Sequence, residues 1–335
     1  MKKAAIVIMF LTIIVKISGF IRDITLSYFY GASTISDAYL ISLTIPSFIF
    51  AFISVSITTA YIPVYSLLEE RKGPRSGIEF TNNLLNLFLA ISTLIVITGL
   101  IFTEFLVKLF ASGFDGTTLE LAVVFTRLSI IGVYFTVIMA VFRGFLHVKN
   151  SFSIPALVAL PNNIIILLAI YFSAIYDNLY ILGIGTLIGA FSQVLIMIPE
   201  LRKKRFQFSF KLKLKDEYIR RFGIIAFPVI LGVSVNEINF LIGRTIASRI
   251  TEGAISALSY SFSLTQFVNG TFAAAIAIAM YPLISKMVIE KNIKGLNSTI
   301  SESINMISVI VIPITAITIA FSEEIITMLY GRGAF

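Results

Sequence analysis

The chain alternates between long apolar runs and short polar segments along its whole length. Each apolar run has about twenty residues or more, enough to cross the ~30 Å hydrocarbon layer of a membrane as a helix. The runs lack the strict two-residue alternation of outer-membrane barrel strands, so they predict helices. Their approximate bounds are 4–30, 36–66, 80–108, 119–147, 153–175, 179–199, 221–248, 254–286 and 299–329. The pattern therefore predicts an all-α, polytopic transmembrane bundle of about nine spans.

The polar segments between the runs differ in charge, and every second one is basic. Because Lys and Arg concentrate in the cytoplasmic loops of membrane proteins, this alternation orients the chain. The basic segments are the Lys2–Lys3 end and those at Arg71–Arg75, Arg143–Lys149, Arg202–Arg221 and Lys286–Lys294. The N-terminus is therefore predicted to be cytoplasmic. The net charge of +8 then faces anionic lipid and indicates no nucleic-acid partner.

Composition supports the membrane assignment and excludes several kinds of chemistry. Hydrophobic residues make up 57% of the 335 positions and charged residues 13%, with a mean hydropathy of +0.95, whereas soluble domains carry about 25% charged residues. The chain has no cysteine and one histidine, His147, which excludes disulfides, thiol chemistry and metal centres built on cysteine or clustered histidine. Since no phosphate-binding loop, nucleophile elbow or HExxH motif occurs, the sequence predicts neither an enzyme nor a cofactor or metal site.

Two parts of the chain are related by an internal repeat. A segment that starts at Arg22 can be laid over one that starts at Arg244, and Gly31 then meets Gly253. Spans one and two thus correspond to spans seven and eight, and the repeat unit is six helices. Copies in the same orientation are typical of one group of alternating-access transporters, with substrate bound between the halves. The predicted organisation is a six-helix lobe at 1–200, a basic cytoplasmic linker at 201–220 and an incomplete three-helix lobe at 221–335.

Several charged residues lie inside or at the ends of the predicted spans. A charge at the centre of a membrane helix costs about 2.5–3.5 kcal/mol, so such residues usually face a cavity or a partner. Lys16 and Asp23 are seven residues apart, as are Glu237 and Arg244, so each pair is predicted to form one polar stripe on its helix. Arg22 and Asp23 are adjacent and are predicted not to face each other.

Two interpretations of these charges are open. In the structural one, they pair between helices or reach the outer interface. In the functional one, the equivalent arginines of the two halves, Arg22 and Arg244, form a two-sided cationic site, because the guanidinium fork suits phosphate and carboxylate oxygens. The recurrence favours the functional interpretation. For Glu237 ion coupling and a structural role are both open, and Asn236 and Asn239 are candidates for lining a cavity or bridging helices.

An ordered set of motifs runs along the chain. They are Gly19-Phe20-Ile21-Arg22-Asp23, Tyr30-Gly31-Ala32-Ser33, Asp37-Ala38-Tyr39, Ala60-Tyr61-Ile62-Pro63-Val64-Tyr65, Phe152-Ser153-Ile154-Pro155-Ala156, Gly232-Val233-Ser234-Val235-Asn236-Glu237-Ile238-Asn239, Arg244-Thr245-Ile246-Ala247-Ser248 and Gly331-Arg332-Gly333-Ala334-Phe335. This set resembles the MurJ/MviN family of lipid II flippases, within the multidrug/oligosaccharidyl-lipid/polysaccharide exporter superfamily. The resemblance implies fourteen spans in a complete member, in two six-helix lobes plus two helices. This chain would then be C-terminally truncated, with the first lobe and half of the second.

The resemblance also implies a function. Family members move undecaprenyl-pyrophosphate-linked disaccharide-pentapeptide to the outer leaflet by alternating access, with cationic residues of a central cavity holding the pyrophosphate. Arg22, Asp23 and Asp37 match the family motifs, Lys16 stands where relatives often have arginine, and Arg244 completes the predicted substrate-binding set. The positions where this sequence is neutral and relatives are often charged are Phe50, Phe262, Ser263 and Gln266. The cavity is therefore expected to be less basic than in relatives.

The resemblance thus implies a monomeric transporter of a lipid-linked oligosaccharide in a bacterial inner (cytoplasmic) membrane, in contact with membrane lipids, and leaves a coupling cation open. Two rivals belong to the same superfamily. One is a flippase for another polyprenyl-linked glycan of a capsule or exopolysaccharide, and the other is a drug/cation antiporter, for which an acidic cavity would be expected. A third rival is a non-transporting scaffold of a cell-wall complex.

Overall fold

The computed structural model describes residues 2–266 and 292–335, and the single positions 280, 284, 287, 288 and 290 between them. Every regular element in these residues is helical, which confirms the predicted all-α fold. The helices are α1 (Lys2–Tyr30), α2 (Thr34–Ser56), α3 (Ile62–Lys72), α4 (Pro74–Ile101), α5 (Thr103–Phe110), α6 (Gly116–Ile131), α7 (Val133–Val148), α8 (Ser153–Leu157), α9 (Ala159–Ile175), α10 (Tyr180–Lys203), α11 (Glu217–Ala247), α12 (254–266), α13 (Ile293–Ala320) and α14 (Ser322–Leu329).

Seven helical segments of the described residues are long and apolar enough to cross a membrane. Two of them join consecutive helices, Thr34–Lys72 with α2 and α3, and Gly116–Val148 with α6 and α7. Helix α1 covers the predicted first span, whereas the predicted eighth span at 254–286 lies partly outside the described residues. The polytopic helical bundle is confirmed, and the number of nine spans stays a prediction.

The second span changes its helical geometry halfway along. A π-helical turn at Ile57–Tyr61 separates α2 from α3, just before Pro63, whose ring lacks a backbone N–H. The hydroxyls of Thr58 and Thr59 donate to the carbonyl of Val55 at 3.0 and 2.8 Å. Such side-chain bonds satisfy carbonyls where the backbone ladder is irregular. The proline therefore produces a local change of pitch and not a break in the span.

The bundle has two ends that differ in charge. The basic end carries Lys72, Lys149 and the linker at 204–216, and the opposite end carries the loops at 31–33, 111–115 and 248–253. A cluster of buried apolar side chains lies around Tyr61 and Phe145, and another lies around Tyr39 and Phe125. Large apolar side chains such as Leu94 remain 65% exposed on the outer surface, as expected of a surface that faces lipid.

Three asparagine side chains tie the linker to α4. Residues 206–213 form no regular element, and Asn82, Asn83 and Asn86 make six hydrogen bonds with the linker backbone. The Asn83 amide donates to the carbonyl of Lys213 at 3.0 Å, and its side-chain oxygen accepts from the Lys213 N–H at 2.7 Å. These bonds satisfy backbone groups that no helix or sheet satisfies. The linker is therefore a fixed segment against α4, and residues 206–215 are called the strap below.

Candidate functional site

A cavity of about 290 Å³ lies between α1 and α2 on one side and α11 and α12 on the other. Its polar lining residues are Arg22, Asp23, Thr44, Ser47, Glu237, Arg244, Ser259, Tyr260 and Ser263. The two arginines that the repeat relates, Arg22 and Arg244, therefore line one cavity although they lie far apart in sequence. The juxtaposition expected from the repeat is present.

Arg22 is held by two side chains. Its Nε and Nη2 donate to Asp23 Oδ1 at 3.0 and 2.7 Å, and its Nη1 donates to Asn163 Oδ1 at 3.1 Å. Asn163 is itself fixed, because its amide nitrogen donates to Ser18 Oγ at 2.9 Å. The prediction that Arg22 and Asp23 do not face each other was wrong. Adjacent helical side chains leave the axis about 100° apart, but the long arginine side chain folds back to the shorter aspartate.

Asp23 joins the two sides of the cavity. Its Oδ1 accepts from Arg22, and its Oδ2 accepts from Ser263 Oγ, on α12, at 2.8 Å. Ser263 is one of the positions where this sequence departs from the pattern of the resembled family. Its neutral hydroxyl satisfies the second carboxylate oxygen without adding a charge. The Arg22–Asp23 pair therefore gives the cavity a fixed cationic group but no net charge.

Arg244 is a buried arginine, with 9% of its surface exposed. Its Nη1 donates to the Leu40 carbonyl at 3.0 Å and to the Thr44 hydroxyl, and its Nη2 donates to Ser259 Oγ at 3.3 Å. Its Cζ lies 4.6 Å from the ring centroid of Phe240. These partners are neutral, and in the part of the chain that the structure describes no carboxylate pairs with Arg244. The buried carboxylate of Asp37 attracts Arg244 through space but forms no ion pair with it. Because a buried cation without an ion-pair partner is costly, this part of the cavity favours an anion.

The polar stripe predicted on α11 is present, whereas the one on α1 is incomplete at the cavity. Glu237 and Arg244 both line it. Seven residues correspond to about 10.5 Å of helix, so this carboxylate lies too far from Arg244 for an ion pair. On α1, Lys16 is half-buried but does not line the cavity, although it has the same seven-residue spacing from Asp23, which does.

Asp37 does not line this cavity but lines a separate one of about 410 Å³ at the opposite end, and its role in substrate binding stays a prediction. It is 2% exposed, and its Oδ2 accepts from the Gly253 N–H at 2.8 Å. Its Oδ1 accepts from the N–H and the hydroxyl of Ser256 at 2.7 and 2.6 Å. Because these groups begin α12, Asp37 caps that helix, and Ser256 lies 219 residues further along the chain. Both carboxylate oxygens are thus used by the protein itself.

The two asparagines predicted beside Glu237 also lie outside the cavity lining. Asn236 and Asn239 are exposed on α11. A helix turns by about 100° per residue, so the positions just before Glu237 and Phe240 point away from the face that lines the cavity. Helical spacing placed Glu237 and Arg244 on one face, and both line the cavity. The two asparagines were chosen for their polar side chains alone, and their role stays a prediction.

The neutral partners of Arg244 were missed by the sequence reasoning. Thr44 and Ser259 lie in apolar helical runs, where a hydroxyl usually bonds a carbonyl of its own helix. Thr44 does this too, since its Oγ1 donates to the Leu40 carbonyl at 2.7 Å. The sequence signal for these two partners is weak, because a hydroxyl in an apolar run does not show that it also bonds a side chain on another helix.

The opposite end of the bundle closes through contacts between segments distant in sequence. Gly31 and Gly253, which the repeat relates, both have positive φ, 61° and 81°, and a Cβ at either would collide with backbone of a distant segment. The Tyr260 hydroxyl donates to the Gly31 carbonyl at 3.1 Å, and the Ala334 N–H donates to the Tyr28 carbonyl at 2.9 Å. These contacts and the Asp37 cap are called the clasp below.

The helical bundle and its long apolar helices define the class of the protein, a multi-pass membrane protein with the fold of the multidrug exporters. An inward-facing multidrug resistance transporter of the MATE family, in the MOP superfamily, aligns with a TM-score of 0.75 at 16% identity, over 98% of this chain and 76% of that chain. A lipid II flippase MurJ in an inward closed conformation aligns with a TM-score of 0.83 at 25% identity, over 98% and 68% of the two chains.

Sequence comparison gives the family. The family model described as lipid II flippase MurJ matches residues 26–335, and the chain belongs to the MurJ family. The probable lipid II flippase MurJ of Buchnera aphidicola subsp. Baizongia pistaciae is 29% identical over 99% of this chain, and that of Treponema pallidum is 26% identical over 99%. The chain spans 66% and 65% of the lengths of these two relatives.

Proposed function

We propose that this chain forms the substrate cavity of a flippase that moves the undecaprenyl-pyrophosphate-linked peptidoglycan precursor, lipid II, across the bacterial inner membrane. The observation that carries the proposal is the joint lining of one cavity by Arg22 and Arg244, from the two halves of the repeat. The names of the relatives support the same cargo. In this role the protein serves cell wall biogenesis.

The chemistry of the cavity suits a pyrophosphate group. Guanidinium forks bind phosphate oxygens through paired N–H groups, and the described partners of Arg22 and Arg244 use three of the five N–H groups of each. An anion beside Arg244 offsets the cost of burying that charge. A volume near 290 Å³ lies at the lower limit of the ~300–1,000 Å³ range of small-molecule sites. It suits the pyrophosphate, and the sugar and peptide require a wider, open state.

Alternating access supplies the transport step in this proposal. With a cytoplasmic N-terminus, the basic end faces the cytoplasm and the clasp faces the outside. Substrate then enters while the clasp is closed, and opening of the clasp exposes the pyrophosphate to the outer leaflet without making or breaking a covalent bond. The proposed moving parts are the lobes at 1–200 and 221–335, joined by the linker at 201–220 within one monomer. Glu237 is the proposed position for a coupling cation or proton.

Complementation tests the proposal in cells depleted of their own lipid II flippase. Lipid II that reaches the outer leaflet is measured with a probe added outside the cells. The wild-type protein is expected to restore it, Arg22→Ala to abolish it, and Arg22→Lys to restore part of it, because lysine keeps the charge but not the fork. The matched control is Arg127→Ala, at an exposed arginine of α6 that does not line the cavity.

Two results would contradict the proposal in different ways. A full-length version that is inserted in the membrane and still leaves lipid II in the inner leaflet excludes this cargo. Normal flipping by both Arg22 variants keeps the cargo and removes Arg22 from the substrate site. A parallel assay of capsule or exopolysaccharide precursors distinguishes the other polyprenyl-linked glycans.

A further inference from the structure

The strap alternates apolar and polar side chains at every position, in the order Phe-Gln-Phe-Ser-Phe-Lys-Leu-Lys-Leu-Lys. Four of its polar residues, Gln207, Ser209, Lys211 and Lys213, line a second cavity, of about 860 Å³, at the basic end. Among its apolar residues only Phe208 does so. The alternation in sequence therefore corresponds to two different faces in the structure.

The cavity under the strap is strongly basic. Seven lysine and arginine side chains line it, against the two carboxylates of Glu79 and Asp216. Glu79 pairs with Arg75 at 3.6 Å, and Asp216 accepts from the Tyr218 N–H at 2.8 Å and so caps α11. Both carboxylates are thus engaged within the protein, and Lys149 is paired with Glu69, which lies outside the lining. The five lysine and arginine side chains of the lining that form no ion pair among the described residues are available to an anion. No residue lines both this cavity and the Arg22–Arg244 cavity.

The apolar face of the strap is uncovered. Phe208, Phe210, Leu212 and Leu214 are 58%, 84%, 46% and 64% exposed. Phe210 lies at the tip of a tight turn, since the Lys211 N–H donates to the Ser209 carbonyl at 3.1 Å. The first apolar residue, Phe206, is different: its ring lies 5.1 Å from that of Phe145 and anchors the strap to α7.

The strap cannot hide this apolar face by turning over. The three asparagines of α4 bond the strap backbone at four alternate residues, Gln207, Ser209, Lys211 and Lys213. A rotation that buried the exposed phenylalanines would break these bonds. The strap therefore presents an apolar surface beside a cationic cavity in a fixed arrangement.

We propose that the strap and its cavity bind an anionic phospholipid of the cytoplasmic leaflet. The phosphate headgroup enters the basic cavity, and the apolar face lies among the neighbouring acyl chains. Two signals of this kind, a basic cluster and an apolar anchor, together give stable membrane attachment, and cytoplasmic leaflets carry the anionic lipids. A soluble anion would use the cavity but not the apolar face. The proposal rests on the proposed orientation, with the basic end in the cytoplasm.

Native mass spectrometry of the purified chain tests the headgroup. Phosphatidylglycerol and phosphatidylethanolamine with the same acyl chains are compared, and inorganic pyrophosphate is added as a soluble competitor. Lys211→Gln with Lys213→Gln is expected to weaken phosphatidylglycerol binding about 30-fold, which corresponds to about 1 kcal/mol for each lysine. The control pair, Arg202→Gln with Lys203→Gln, removes two charges from the same basic segment outside the cavity and is expected to leave binding within about threefold, because salt screens exposed charges that lie farther from the headgroup.

Fluorescence tests the apolar face independently. The chain has no tryptophan, so Phe210→Trp introduces a single reporter. In vesicles that contain phosphatidylglycerol with brominated acyl chains, its emission is expected to be quenched and shifted to the blue. Lys215→Trp, on the alternate face, is expected to remain unquenched, and Leu94→Trp, on the lipid-facing surface, gives the full quenching of a membrane residue.

Three results would overturn the proposal. Equal binding of the two phospholipids removes the anionic headgroup from the site. Displacement of phosphatidylglycerol by pyrophosphate, with Phe210→Trp unquenched, identifies a site for soluble anions instead. Unchanged binding by the Lys211/Lys213 pair moves the lipid elsewhere on the surface. Since no measurement uses lipid II, a failure of the flippase proposal leaves these tests unaffected.

Discussion

Replacing Asp37 with asparagine is expected to open the clasp. The carboxylate accepts three hydrogen bonds from the start of α12, from the Gly253 N–H and from the N–H and hydroxyl of Ser256. Asparagine offers one acceptor oxygen and turns an amide NH₂ group towards a donor. Asp37→Asn therefore removes the negative charge from a helix N-terminus and leaves one buried N–H without an acceptor.

The size of this effect follows from the burial of the group. An unsatisfied buried donor costs about 1–3 kcal/mol, and a hydrogen bond to a charged group contributes about 1 kcal/mol more than a neutral one. The clasp is then weakened by about 3 kcal/mol, which raises the population of its open form about 150-fold. Because the cap joins α2 to α12, we expect most of this change in the opening equilibrium and little in the folding of either part.

Labelling of a cysteine behind the clasp measures the opening. The chain has no cysteine, and Ser36 is fully buried beside Asp37, so Ser36→Cys provides a single protected thiol. A membrane-impermeant maleimide added outside the cells reacts at a rate proportional to the open population when opening is fast. The matched control is Asp115→Asn, which removes an exposed carboxylate at the same end that makes no capping hydrogen bond.

A labelling rate in Asp37→Asn within about threefold of the rate in the control would refute the reasoning, because a buried three-bond cap cannot be lost at so small a cost. Faster labelling in both variants would attribute the effect to the charge of the outer surface and not to the cap. Gel filtration of the purified variants separates opening from loss of the fold.

Three further changes test other contacts. Arg244→Ala is expected to weaken lipid II binding at least about 30-fold in native mass spectrometry, since truncating a buried charge partner costs about 2–5 kcal/mol. Arg244→Lys is expected to weaken it less. Binding by both variants as strong as that of the wild-type protein would place the pyrophosphate elsewhere. Asn83→Ala is expected to speed tryptic cleavage of the strap about 30-fold, because two hydrogen bonds contribute about 2 kcal/mol, whereas exposed Asn239→Ala should not. The side chain of Gly185→Val would collide with an alanine of α9, so this variant is expected to lower the melting temperature. Gly232→Ala has open space around it and is expected to leave the melting temperature unchanged. An equal decrease in both variants would disprove close packing at Gly185.

The fold was predictable from the sequence because lipid imposes one simple constraint. A membrane span must form its backbone hydrogen bonds internally and be apolar over about twenty residues, so long apolar segments of the sequence are enough to find the helices. The exception is the segment at 206–215, which the sequence interpretation used only as a basic linker. Its alternating pattern is typical of a strand, but its bonding partners are the side chains of Asn82, Asn83 and Asn86, which no local pattern connects to it.

The site was predictable only as far as helical periodicity and the repeat extend. Arg22 and Arg244 were found through the repeat, and Glu237 through its spacing from Arg244. The capping role of Asp37 was not predicted, because a carboxylate near a membrane interface has the same sequence signature whether it caps a helix or faces a substrate. The two roles differ in whether the start of α12 lies beside the carboxylate in the folded chain. The local sequence signal for that start is Gly253, which adopts a positive φ just before the helix.

The repeat is symmetric in sequence but not in charge. Arg22 is followed by Asp23, which neutralises it, whereas Arg244 is followed by Thr245, whose hydroxyl donates to the Phe110 carbonyl at 3.0 Å. Among the described lining residues, Arg244 therefore supplies the positive charge that no ion pair neutralises, and Glu237 is the lining carboxylate outside the Arg22–Asp23 pair. Asp37, outside the lining, also attracts Arg244 through space. A proton or cation at Glu237 would leave the cavity with a charge of about +1 and so favour an anionic substrate.

Glu237→Gln is accordingly expected to strengthen lipid II binding and to make it less dependent on pH and salt. A unit charge about 10 Å away contributes about 1.7 kcal/mol at an effective dielectric constant near 20, which corresponds to about 15-fold in affinity. The control is Glu252→Gln, in a loop outside this cavity. Native mass spectrometry gives the affinity, and outer-leaflet lipid II gives transport. Tighter binding with slower transport supports coupling through Glu237, because the variant cannot regain the negative charge that would promote release of the substrate. Unchanged affinity shows that Glu237 does not act electrostatically on the substrate.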